Sequence, residues 1–229
     1  MIKKGLTNNQ LKILAMIFMA LDHTGLLLFP HVAWFRAVGR LAFPIFAYMI
    51  AEGCAHTRNI VRYWGSLTAL GVLCQLAYFF GKGSLYMCVL ITFSMSVGIL
   101  ALFRRAKRDR SVLFYILSVL ALAAAFFLCE ILPGLLPGTD YRVDYGFVGV
   151  LIPIAVYLIP NKWGKLAAAG AGLAVLAAGV PWRGQWLALL ALPILALYNG
   201  QRGKYRMKWL FYIFYPAHLL ILYGLSVIL

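Results

Sequence analysis

Residues 112–132 read VLFYILSVLALAAAFFLCEIL, a stretch whose one charged side chain is Glu130. A run of this length and character matches the roughly 20 apolar residues that an α-helix needs to cross the hydrocarbon core of a bilayer. Working outward, further apolar blocks cover 13–29, 41–50, 67–80, 85–103, 147–159, 166–180, 186–198 and 210–229. They are continuous, without the alternating or heptad spacing of an element buried on one face. Of 229 residues 64% are hydrophobic and 12% charged, about half the charge of an ordinary soluble domain. A soluble core of this size cannot hide so much apolar surface. The expected fold is all-α, a polytopic transmembrane helical bundle of about nine spans (eight to ten). No linker interrupts it, so residues 1–229 are expected to form one transmembrane domain.

The basic residues orient the chain. With the N-terminus inside, the inner loops carry Lys3, Lys4, Arg58, Arg62, Arg104, Arg105, Lys107, Arg108, Arg110, Lys162, Lys165, Arg202, Lys204, Arg206 and Lys208. The outer loops receive Arg36, Lys82, Arg142 and Arg183. This bias follows the positive-inside rule. Trp34, Trp64, Trp163, Trp182, Trp186 and Trp209 fall near span ends, as an aromatic belt requires. The net charge of +15 is thereby explained by topology and contact with anionic lipid, and calls for no nucleic acid. The first apolar block lacks a small-residue cleavage site after it and reads as a retained span. Cys54, Cys74, Cys88 and Cys129 are scattered without CxxC spacing and read as apolar fillers. The four histidines lack the paired carboxylates of a metal site, so no metal is expected.

Function is sought in the ionisable groups that a bilayer makes expensive. Asp22 and His23 lie about 15 Å along the first span from its inner start. They read either as a buried ion pair or as a proton-transfer pair, since histidine takes and returns a proton near neutral pH. Arg40 opens the second span, where it either reaches the headgroups or pairs with Asp22. Glu52, His56 and Arg58 form a polar mouth at the inner end of that span, read either as part of the cofactor site or, for Glu52, as merely interfacial. In the last span His218 follows Pro216, with Tyr212 and Tyr215 nearby. The turn before it, with Asn199, Arg202 and Lys204 among glycines, suits a phosphate-bearing cofactor or is a plain basic loop. Asp140, Arg142, Asp144 and Tyr145 are the outer approach to the sixth span, either an acceptor-binding segment or a solvated loop.

An ordered set of motifs resembles the TraX family. It comprises 11–16 (LKILAM), Asp22-His23-Thr24-Gly25, 39–46 (GRLAFPIF), Glu52-Gly53, and His56-Thr57-Arg58-Asn59. Asp144-Tyr145-Gly146, Tyr198-Asn199-Gly200 and 211–218 (FYIFYPAH) complete it. The family is associated with N-terminal acetylation of conjugative pilin and is similar to a wider group of polytopic membrane acyltransferases. The resemblance implies a bacterial inner-membrane enzyme that moves an acetyl group from cytosolic acetyl-CoA to an acceptor reached from the other face. Carried over by position, His23 is the catalytic histidine, Asp22 its partner and Arg40 a cavity-lining arginine. Tyr215 and His218 sit at the opposite wall, where Tyr215 or His218 would stabilise an oxyanion. The acceptor is an amine or hydroxyl of a pilin, a peptide or an envelope glycan. The competing reading is a proton-coupled transporter with Asp22, His23, Glu52 and His218 as its relay, against which the two halves show no inverted repeat.

Overall fold

The structure, a computed structural model, describes residues 5–204 and 207–228. Lys3, Lys4 and Arg206, used above, lie outside the described residues. The helices run in chain order α1 (Asn8–Leu27), α2 (Ala33–Gly39), α3 (Ala42–His56), α4 (Ile60–Lys82), α5 (Val89–Asp109) and α6 (Val112–Phe126). A π-helical turn (Phe127–Ile131) leads into α7 (Leu132–Leu135), followed by α8 (Gly146–Leu158) and α9 (Lys162–Ala178). A 3-10 segment (Arg183–Leu190), α10 (Ala191–Ala196) and α11 (Lys208–Ile228) complete the order. Among the described residues extended pairing is confined to two isolated bridges, Leu6 with Tyr198 and Met87 with Val143.

Six segments are long and apolar enough to cross a bilayer: Asn8–Leu27, Ala33–His56, Ile60–Lys82, Val89–Asp109, Val112–Leu135 and Leu210–Ile228. The chain is a multi-pass membrane protein. The exposed face of α6 agrees, since Val112, Ile116, Val119 and Leu120 lie open along it, a stripe that water would not tolerate. The other three expected spans are helical but shorter. α8 has 13 residues and α9 has 17, against about 20 for a full crossing. The block at 186–198 divides between eight 3-10 residues and the six of α10. Apolar composition located these segments, but helix length, which sets a crossing, is cut by Pro160 after α8 and by the Gly179-Val180-Pro181 break after α9.

The chain forms two compact units, Met1–Met49 with Pro160–Leu229, and Ile50–Ile159, the division falling inside α3. In the first unit α1 packs on α2 and on α11. A capping box starts α1: the Thr7 hydroxyl accepts from the Gln10 amide while the Gln10 side chain accepts from the Thr7 amide. The next two amides, of Asn8 and Asn9, donate to the carbonyls of Gln201 and Arg202 at 2.8 and 3.2 Å. In the second unit α5 packs against α4, α6 and α8. Its small polar residues do the joining. Ser96 donates to the Val150 carbonyl of α8 at 2.8 Å, and the Thr68 and Ser94 hydroxyls bond at 2.5 Å. Such bonds and small residues hold helices together where no hydrophobic force between them operates.

Candidate active site

Two glycines bring α1 and α2 together in the first unit. A Cβ on Gly39 would lie 2.6 Å from the Cα of Asp22, and one on Gly25 would lie 2.5 Å from the Cβ of Phe35. Because neither side chain exists, Asp22 on α1 meets Arg36 of α2 and Arg40 just after it. The Asp22 Oδ2 accepts from Arg36 Nη1 at 2.7 Å, and Oδ1 is 3.7 Å from Arg40 Nη2. All three side chains are largely buried. Arg40 also lies over the Trp182 ring, 5.4 Å from its centroid, in a cation–π contact. The expected pairing of Asp22 with Arg40 is present, but Arg36, read from the sequence as an outer-loop charge, makes the shorter bond.

The neighbouring residue turns elsewhere. His23 Nδ1 is 2.9 Å from His218 Nε2 on α11, and the rings tilt at 45° with centroids 5.0 Å apart. His218 is buried; its Nδ1 lies 2.8 Å from the Phe214 carbonyl, its ring stacks on Phe214, and Tyr215 meets it edge-on. The sequence reading made Asp22 the partner of His23. Among the described residues the hydrogen-bond partner of the carboxylate is Arg36, and the ring of His23 is held by His218. Adjacent helical residues point about 100° apart, which separates the two. Both nitrogens of His218 are engaged, so it presents no spare N–H to an oxyanion.

The family model described as TraX protein matches residues 7–226. This chain belongs to the TraX family. It is also similar to a "Probable fimbrial assembly protein FimC" of Dichelobacter nodosus, 29% identical over 251 aligned residues that cover 93% of each chain. No solved structure matches it.

The remaining candidate positions fall into three groups. In the first unit Asn199, Arg202 and Lys204 lie on the loop after α10. Asn199 is part of the loop's framework: its Nδ2 donates to the Gly5 carbonyl and its Oδ1 accepts from the Gln201 amide. Gly200 and Gly203 take positive φ of 77° and 97°, and a Cβ on Gly203 would lie 3.0 Å from the Asn9 side chain. The α1 amides beside this loop are already bonded to Gln201 and Arg202, so a phosphate would meet the exposed Arg202 and Lys204 side chains.

The other two groups belong to the second unit. Glu52 is buried at the end of α3, and His56, largely exposed, places Nδ1 2.9 Å from the Glu52 carbonyl and 3.7 Å from its carboxylate. Arg58 is exposed just beyond. Arg104, counted above as a topology charge, closes this helix end by donating to the Cys54 carbonyl at 2.6 Å. The acidic approach at 140–145 is a clip. Asp140 accepts from the Ser84 hydroxyl at 2.6 Å and the Leu85 amide at 2.8 Å. Those two bonds hold its carboxyl below the usual carboxylate range. Asp144 accepts from the Tyr86 hydroxyl at 2.7 Å while its carbonyl accepts from Thr92 at 2.6 Å. Tyr145 takes φ 61° to start α8, and Arg142 is exposed.

Proposed function

We propose that this chain is an acetyl-CoA-dependent transmembrane acetyltransferase of the bacterial inner membrane, with His23 as its general base. The observation that carries the reading is the bond between His23 and His218, two imidazoles from opposite ends of the chain joined at 2.9 Å. A bilayer segment does not retain such groups cheaply, and proton transfer is the work that suits them. In the reaction the ring of His23 takes the proton from an acceptor amine or hydroxyl as that atom bonds to the thioester carbonyl carbon. The carbon–sulfur bond then breaks, the proton passes to the sulfur, and free CoA thiol leaves. Arg40 and the Tyr215 hydroxyl are the groups assigned to the oxyanion. Asp22 acts on them indirectly, by holding Arg36 and Arg40 in place. Arg202 and Lys204 are assigned to the phosphates of CoA.

The acceptor class is part of the same proposal. A relative named for fimbrial assembly supports a pilin or peptide N-terminus or another envelope component at the outer side. The orientation proposed is N-terminus inside, on the distribution of basic residues. The test uses purified protein in detergent. Wild type and His23→Ala are both expected to bind acetyl-CoA saturably, while acetyl transfer to an amine acceptor is lost in the variant. A His23→Ala protein that transfers at the wild-type rate refutes the assignment.

A further inference from the structure

Each imidazole of the pair has two ring nitrogens, and the surroundings decide which of them carries the proton. The chain of bonds starts at a group that can only accept, the backbone carbonyl of Phe214. His218 Nδ1 lies 2.8 Å from that oxygen, so His218 Nδ1 must carry the hydrogen. In a neutral ring the other nitrogen, Nε2, then has a bare lone pair. That nitrogen is 2.9 Å from His23 Nδ1, so His23 Nδ1 must be the donor. His23 is thus left with its lone pair on Nε2.

From this geometry we infer that His218 is a positioning residue that fixes His23 in the Nδ1–H tautomer and leaves Nε2 as the proton-accepting atom. The inference rests on the reading of His23 as the base and deepens it. In this arrangement His218 does for His23 what a carboxylate does in many hydrolytic triads. A neutral acceptor replaces the anion because Asp22 is held by Arg36 at 2.7 Å. When Nε2 takes up the acceptor's proton, the Nδ1–H of His23 keeps its bond to His218 Nε2, and the positive charge is spread toward a second ring. The stack of Phe214 on His218, with ring planes 9° apart at 4.9 Å, and the edge contact of Tyr215 hold the His218 ring against rotation.

Two readouts test this, and one is independent of any activity. The chain has four histidines, so nitrogen-15 labelling of histidine, in a protein carrying His31→Gln and His56→Gln, leaves two rings to follow by NMR. Both are expected to be neutral with the hydrogen on Nδ1, and in His218→Ala the ring of His23 is expected to move to the commoner Nε2–H form. A wild-type His23 that is protonated on Nε2 or doubly protonated overturns the inference, even if the protein proves to be an acetyltransferase. The second readout is kinetic. His218→Ala is expected to lower kcat by about 10²-fold or more with KM for the donor little changed. His218→Gln, whose carbonyl can accept from His23 Nδ1, is expected to restore part of that loss. Equal kcat in the alanine and glutamine variants also overturns it. Should His218→Ala not be recovered from membranes, the tautomers of wild type and His218→Gln decide alone: the hydrogen stays on Nδ1 of His23 in both, or the inference fails.

Discussion

Asp22 in the first unit and Asp140 in the second are both acids picked out by sequence, and the fold uses them in different ways. Asp22 sits in a membrane-spanning helix with a side chain 16% exposed, between the guanidinium groups of Arg36 and Arg40. Asp140 is exposed and has neutral donors, the Ser84 hydroxyl and the Leu85 amide. The first answers a desolvation problem that only opposite charge can relieve. The second ties two loop segments together where water is at hand. An acid met by arginine inside a span belongs to an electrostatic device, whereas an acid met by backbone and hydroxyl donors in a loop is a clip.

Substitutions sharpen this contrast, beginning with the largest effect. Asp22→Ala leaves two guanidinium groups facing each other without their carboxylate and should cost about 3 kcal/mol, read as a lower unfolding midpoint in detergent. Arg36→Gln should cost more than Arg40→Gln, because the first bond is 2.7 Å and the second contact 3.7 Å. Equal midpoints for all three proteins and wild type would put the charge cluster outside the stability of the fold. Next comes Gly39→Ala, whose new methyl group would strike Asp22 backbone and side chain. Its expected cost is about 1–3 kcal/mol, with loss of transfer activity. Gly65→Ala in α4 meets nothing within 4 Å and serves as its control, with a gain of about 0.5–1 kcal/mol from helix propensity.

A labelling experiment addresses orientation. The four native cysteines are all buried, so added thiols report cleanly. Asp140→Cys should react with an impermeant reagent applied outside intact cells, and Gln201→Cys should not. Reaction of both from outside would contradict the proposed orientation. The smallest effect is expected at Asp140 itself. Its carboxyl is held below the ordinary range by Ser84 and Leu85, so the unfolded chain binds its proton more readily than the folded one. The contribution to stability is therefore present above the ordinary carboxylate pKa of about 4 and fades as pH falls through the depressed value. Asp140→Asn should flatten the acid limb of a midpoint-against-pH curve relative to wild type. An unchanged limb would deny the clip any role in stability.

Much of this was legible in the sequence, for reasons tied to particular residues. The blocks around α1, α4, α5 and α6 announce themselves because lipid demands long apolar runs. Asp22, His23, Arg40 and His218 stand out because ionisable groups in such runs are rare. What the sequence could not display is pairing at a distance. His23 and His218 are 195 positions apart, and Arg36 reaches Asp22 across a hairpin of 14. The alignment depends on Gly25 and Gly39, whose close approach to Phe35 and Asp22 shows only once the fold is known. The clip was hidden for a similar reason: nothing near Asp140 signals that Ser84, 56 residues earlier, will be its donor. Crossing length was the other gap, because composition continues through α8 and α9 after the backbone has turned.

The most direct test of the proposal that His23 transfers acyl groups is comparative mass spectrometry of envelope material. Cells would carry wild-type protein, His23→Ala, or no protein. The expected result is an acetyl mark, 42 Da per site by the chemistry of replacing hydrogen with acetyl, on about the same envelope component in every wild-type preparation. That mark should be absent from the other two. Equal acetylation with wild type and His23→Ala would contradict the account.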